Sequence, residues 1–186
     1  EMESIMEKKY KALALDLDGT LMDSNKKLSD VNKKAVWEAI DVGTAVILAS
    51  GRPMFGVLPV ARMLELDKRG GYVLAYNGGN ILDCKTGKLV YERYVPKQCI
   101  EDICIAAREC DVAPLTYYKD KVISERADDE YVIKEAFCNS ASIMQVDNIP
   151  EFVDYPVSKV LVVGEHKKLL PVKEKLENKY SDILEL

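Results

Sequence analysis

Long apolar stretches are missing from this 186-residue sequence. No run approaches the roughly 18 residues that a membrane-spanning helix requires. The first nine residues are charged and carry no apolar core of a secretory leader, so none is expected there. Histidine is almost absent: His166 stands alone. The five cysteines (Cys84, Cys99, Cys104, Cys110 and Cys138) form no C-x-x-C pair. Together these two shortages exclude the common zinc patterns. An odd number of unpaired cysteines fits a reducing compartment, so the protein is expected to be cytoplasmic. Basic blocks are also missing. Acidic residues number 31 and basic ones 26, and 31 − 26 leaves a net charge of −5. Such a surface is a poor match for nucleic acid or for anionic membrane, and neither is expected as a partner. Repeats and low-complexity tracts are absent as well. What remains is an ordinary globular composition, 48% hydrophobic and 31% charged, in a chain long enough to bury a core.

Residues 10–17 are apolar at nearly every position, which predicts a strand covered on both faces, as in a parallel sheet. The run stops at Asp18-Gly19-Thr20, a turn signal. Ser29 or Asp30 can cap a helix reaching Val42, with Val31, Ala35, Val36, Ala39 and Ile40 as its apolar stripe and Gly43 just past its end. A second buried strand is expected over 44–49, ending at Ser50-Gly51-Arg52-Pro53. Pro53 suits the first turn of a helix toward Leu66, weakened by Gly56 and Pro59. After Gly70-Gly71, residues 72–76 read as a third strand ending in Asn77-Gly78-Gly79. Strand, helix, strand, helix, strand opens a doubly wound α/β fold.

Past residue 82 the pattern changes. A hairpin is expected to turn at Lys85-Thr86-Gly87-Lys88, and a second at Lys119-Asp120-Lys121. Helices are expected over 96–110, 128–137 and 167–180, the last with Pro171 in its first turn. Strands are expected over 159–163 and from 182 onward. Cys99, Cys104 and Cys110 fall in one of these helices as small hydrophobic residues. This α+β segment reads as a second unit.

In an open parallel sheet the ligand site lies off the carboxyl ends of the strands. The three polar strand ends therefore point to one crevice. Side chains two apart on a strand project to the same side, so Asp16 and Asp18 can both face it. Two carboxylates that close repel, which calls for a cation, and oxygen-only donors suit Mg²⁺. Gly19 permits a turn whose freed N–H groups can meet an anion. A carboxylate in such a place can attack phosphorus, and its neighbour can move the protons. Ser50 and Gly51 open a helix, which suits either an anion site or a plain N-cap. Arg52 is either a substrate contact or the partner of a local carboxylate. Asn77 is either a substrate contact or an ordinary turn residue.

Asp16-Leu17-Asp18-Gly19-Thr20, with its preceding apolar strand, resembles the first motif, D-x-D-x-T, of the haloacid dehalogenase superfamily. Ser50-Gly51-Arg52-Pro53 and Asn77-Gly78-Gly79 resemble its Cof-type (class IIB) branch. The resemblance implies a Rossmann-like parallel-sheet core over residues 1–82 and an inserted α+β cap over 83–186. It implies a Mg²⁺-dependent phosphatase acting on small phosphorylated metabolites through an aspartyl-phosphate. Asp16 would be nucleophile and metal ligand. Asp18 would be general acid/base, with its backbone carbonyl on the metal. Thr20 would orient Asp18 or the phosphate loop. Ser50 and Gly51, with Arg52 and Asn77, would contact the phosphoryl group or substrate.

The family's later lysine and Gly-Asp strand end are not visible. Val160 to Glu165 is an apolar strand ending in Gly-Glu, but Lys167 and Lys168 stand where a second acid belongs, so it reads as a cap strand followed by a cap helix. The expectation is a chain that stops inside the cap. Two other readings stay open: a non-catalytic fragment that binds Mg²⁺ or anions weakly or self-associates, and a related phosphomutase.

Overall fold

In the computed structural model, which describes residues 10–184, the three apolar runs pair side by side. β1 (Ala12–Leu15), β2 (Ala45–Ala49) and β3 (Tyr72–Ala75) are parallel, with Leu15 opposite Leu48 and Ala49 opposite Leu74. β4 (Asn80–Asp83) then turns back antiparallel on β3, and β5 (Lys88–Glu92) on β4, giving the order β1-β2-β3-β4-β5. The first hairpin thus extends the first sheet. The two compact units divide after Glu92, not near residue 82, because β4 bonds to β3 along its whole length. β1 also departs from expectation. Ala12 and Ala14 are exposed, because β1 pairs only with β2 among the described residues and lies at the end of the sheet.

α1 (Asp30–Asp41) is capped by the Ser29 hydroxyl, which accepts the Asn32 N–H at 3.1 Å, and Gly43 follows with φ 84°. Val36 of its stripe is buried, whereas Val31 in the first turn points to solvent. The helix expected over 53–66 breaks in two, α2 (Met54–Met63) and α3 (Leu66–Arg69). Glu65 between them adopts φ 57°, which lets both Leu64 and Leu66 enter the core. Trp37 holds this corner from α1. Its Nε1–H donates to the Leu64 carbonyl at 2.8 Å, while Lys33 Nζ and the Arg69 guanidinium sit over its ring at 4.7 and 4.4 Å.

The second unit has its own sheet and core. β6 (Ala113–Tyr118) and β7 (Lys121–Ser124) form the expected hairpin. β8 (Ser142–Gln145) joins β7 in parallel and β9 (Leu161–Val163) joins β6 antiparallel, giving β8-β7-β6-β9. β9 lies within the Val160–Glu165 segment, and its Gly-Glu end leads into α7, whose N-cap is Glu165. α4 (Lys97–Glu109) and α7 (His166–Tyr180) pack together through Cys99, Ile103 and Ala107 against Val172, Leu176 and Tyr180. α5 (Glu130–Cys138) and the single turn α6 (Ile149–Phe152) complete the unit. Pro171 sits in the second turn of α7, one turn later than expected. Residues 181–183 form a turn on Tyr180 instead of a strand, and residues 185–186 lie outside the described chain. The cysteines are free thiols. Burial, helped by the Glu125 charge, pushes the Cys104 thiol up to about 12, so it packs as an apolar group.

Glu125 ties three elements of this unit. Its carboxylate accepts both fork N–H groups of Arg108 on α4, at 2.8 and 2.6 Å, and the Ile149 N–H that opens α6, at 2.9 Å. Burial alone would raise its pKa. The guanidinium and the N–H outweigh burial and hold it below the usual carboxylate value. A depressed folded pKa gives stability that is present above the unfolded pKa of about 4.3 and is lost as pH falls through the folded value. Glu125→Gln should therefore cost about 2 kcal/mol at pH 7. In denaturant unfolding followed by circular dichroism, that deficit should shrink steadily below about pH 4.

Candidate active site

The loop after β1 is built by alternation. Leu17, Leu21 and Met22 are buried in the core, while Asp16, Asp18 and Thr20 remain exposed. Three backbone bonds close the loop: Leu21 N–H to the Asp16 carbonyl, Met22 N–H to the Leu17 carbonyl, and Gly19 N–H to the Met22 carbonyl, all within 3.1 Å. Gly19 takes φ 76°, a conformation that costs a residue with Cβ. Asn32 of α1 steadies the loop by donating to the Leu21 carbonyl at 2.9 Å. The apolar residues thus anchor the turn and leave the polar ones free to act. Thr20 Oγ1 lies 3.4 Å from Asp16 Oδ2, a long contact, so its hydroxyl serves Asp16 and not Asp18.

The loops after β2 and β3 are stitched to each other. Ser50 N–H donates to the Leu74 carbonyl at 2.9 Å. Tyr76 N–H donates to the Arg52 carbonyl at 2.9 Å, and Asn77 N–H to the Ser50 carbonyl at 3.2 Å. Ser50 is buried, and its Oγ accepts the Arg52 N–H at 3.2 Å. Gly51 lies directly under Asn77: a Cβ there would stand 3.1 Å from Asn77 Oδ1. Tyr76 and Asn77 both adopt left-handed φ, 54° and 57°, so the chain leaves β3 through a strained turn. Tyr76, expected as the last residue of the third strand, lies just past the end of β3. Its hydroxyl accepts the Met54 N–H at the start of α2, and burial raises its pKa against that bond. An aromatic residue just before Asn-Gly was the only signal for it.

Asp18 and Arg52 meet across the first two loops. Arg52 Nε and Nη2 donate to the two carboxylate oxygens at 2.9 and 2.5 Å. The structure therefore places Asp16, Asp18, Thr20, Ser50, Gly51, Arg52 and Asn77 on the three loops that follow β1, β2 and β3. Asp18 is joined to Arg52, Thr20 to Asp16, and Ser50 to Arg52 and Asn77. Among the described residues no group of three or more His, Cys, Asp or Glu side chains is arranged to hold a metal. The Asp16 carboxylate and the Asp18 backbone carbonyl are hard oxygen donors, a set that fits Mg²⁺, which commonly takes one or two carboxylates and keeps several waters.

A parallel sheet whose strand ends carry an acidic turn beside a hydroxyl- and arginine-bearing loop defines an α/β protein with its site at the carboxyl edge. The profile of the haloacid dehalogenase-like hydrolases matches residues 13–186, and the chain belongs to that family. A haloacid dehalogenase-like hydrolase from Bacteroides thetaiotaomicron superposes with a TM-score of 0.84 at 37% identity, covering 91% of this chain and 64% of that one. The HAD subclass IIB sugar phosphatase BT4131 shares the fold, with a TM-score of 0.68 at 15% identity over 88% of this chain and 62% of its own. An HMP-PP phosphatase of Yersinia pseudotuberculosis is 23% identical over 172 residues, 92% of this chain and 61% of that protein. The chain thus spans about six-tenths of the length of these relatives. No helix among the described residues is long and apolar enough to cross a membrane.

The Ser50 hydroxyl is a side-chain acceptor inside the stitched loops. Ser50→Ala leaves the Arg52 N–H without it, and should cost about 1 kcal/mol in denaturant unfolding, while Ser50→Thr should stay near the wild-type midpoint.

Proposed function

We propose that the protein containing this chain is a Mg²⁺-dependent phosphatase of small phosphorylated metabolites, working in the cytoplasm through an aspartyl-phosphate on Asp16. The observation that supports this most directly is the turn after β1, which buries Leu17, Leu21 and Met22 and thereby presents Asp16, Asp18 and Thr20 together at the strand ends.

An Asp16 carboxylate oxygen attacks phosphorus, and the bond from phosphorus to the leaving oxygen breaks. Asp18, in its acid form, gives that oxygen a proton. Asp18, now a carboxylate, takes a proton from water as the water oxygen attacks phosphorus. The bond from phosphorus to Asp16 then breaks and phosphate departs, with Asp18 returned to its starting form. Thr20 restrains the nucleophile through its contact with Asp16. Ser50, Gly51 and Asn77, tied together by backbone bonds, receive the phosphoryl oxygens through hydroxyl, N–H and amide groups. The Asp16 carboxylate and the Asp18 backbone carbonyl would hold Mg²⁺, which supplies positive charge beside the phosphoryl group when bound. In the same reading the second unit is a class IIB cap that excludes water and selects the substrate.

In the full-length protein, Asp16→Asn should lower p-nitrophenyl phosphate hydrolysis by at least about a thousandfold. Chelation with EDTA should stop wild-type turnover, and added Mg²⁺ should restore it. Undiminished turnover in the Asp16→Asn variant would remove the assignment.

A further inference from the structure

The pairing of Asp18 with Arg52 is unequal. The aspartate side chain is 52% exposed and the arginine side chain 14%. The enclosed partner is the cation, and its backbone is held at both ends. The Arg52 N–H rests on Ser50 Oγ at 3.2 Å, and its carbonyl takes the Tyr76 N–H at 2.9 Å. Both of these anchors belong to the stitched loops after β2 and β3. From that base, two parallel N–H groups reach both oxygens of a carboxylate that is otherwise half in water. A two-point contact fixes the rotation of the carboxylate as well as its place, which a single bond or a lysine ammonium cannot do.

We infer that Arg52 is a positioning residue that acts through Asp18, and not a ligand of the phosphoryl group. The inference rests on the phosphatase reading, which gives Asp18 both proton transfers. Those transfers depend on the direction in which a carboxylate oxygen points, and an exposed aspartate on a glycine-containing turn has rotational freedom to lose. Arg52 removes that freedom. One edge of its fork is already spent on Asp18, so the phosphoryl contacts fall to Ser50, Gly51 and Asn77. Phosphate affinity and proton transfer are therefore separable: Arg52 governs the second and leaves the first alone.

The test uses the full-length protein and measures p-nitrophenyl phosphate hydrolysis together with the competitive inhibition constant of inorganic phosphate. Arg52→Gln should lower kcat by about 10- to 100-fold, with KM and the phosphate inhibition constant kept within about twofold. Arg52→Lys, which retains charge but not the two-point contact, should recover only part of kcat. In an Asp18→Asn background, Arg52→Gln should cost nothing further, because the group it positions is gone. A rise of KM and of the phosphate inhibition constant by about tenfold or more at unchanged kcat would make Arg52 a phosphate ligand and overturn the inference. A full additional loss in the double variant would overturn it as well. Near-ultraviolet circular dichroism of each variant separates these outcomes from misfolding, with Arg52→Lys as the variant least disturbed. Wild-type protein without Mg²⁺-dependent turnover would remove the phosphatase reading and the inference together, whereas active wild type with a ligand-like Arg52 removes the inference alone.

Discussion

Everything at the site depends on the parallel pairing of β1, β2 and β3 in a register that ends the strands level with one another. Leu15 stands opposite Leu48, and Ala49 opposite Leu74, so three successive loops emerge from one edge. The last two loops are then joined by main-chain bonds through Ser50, Leu74, Arg52, Tyr76 and Asn77. This stitching opposes the backbone strain of two consecutive left-handed residues, each costing on the order of 1 kcal/mol. The same loops support Arg52, so the orientation of Asp18 on the first loop is set by bonds made between the second and third.

The candidate residues stand out in the sequence because each belongs to a short local pattern: an aspartate pair two apart, a serine and glycine opening a helix, an Asn-Gly turn. Their mutual arrangement is less legible. Asp18 and Arg52 lie 34 positions apart, and only the folded sheet shows that one holds the other. From the sequence alone Arg52 fits two roles for that reason. The strands were readable from continuous apolar runs, but their exposure was not. Ala12 and Ala14 look like core residues in a run of this kind, yet they face solvent because exposure depends on what lies beside β1. The break at Glu65 was hidden because a left-handed conformation there carries no glycine or asparagine to announce it. Turn α6, by contrast, carries a signal in the sequence. Asn148 accepts the Glu151 N–H on its side-chain oxygen and donates its side-chain amide to the Glu151 carboxylate, with Pro150 between, an N-cap in full view of the sequence.

Both units combine an apolar core with ion pairs. The first has backbone bonds and a core that run through its loops, together with the Arg52–Asp18 and Arg69–Asp41 pairs. In the second, charged pairs fasten helices at their margins. Asp102 on α4 accepts from Lys179 and from the Tyr180 hydroxyl on α7, and Glu109 pairs with Lys175. Asp111, just past α4, joins Lys168 of α7 and Arg126 at once. Exposed pairs of this kind are individually weak and are screened by salt, so the apolar seam between α4 and α7 carries the packing while the charges set its alignment.

Trp37 gives the molecule an optical asymmetry. It is the sole tryptophan of the sequence, and it sits in the first unit between two cations with its indole N–H on the Leu64 carbonyl. Indole emission responds to such neighbours, so intrinsic fluorescence reports the corner where α1 meets α2 and α3. The second unit contributes only tyrosine. Excitation at the red edge, where tyrosine does not absorb, therefore follows the melting of one unit without a label, while the other stays dark.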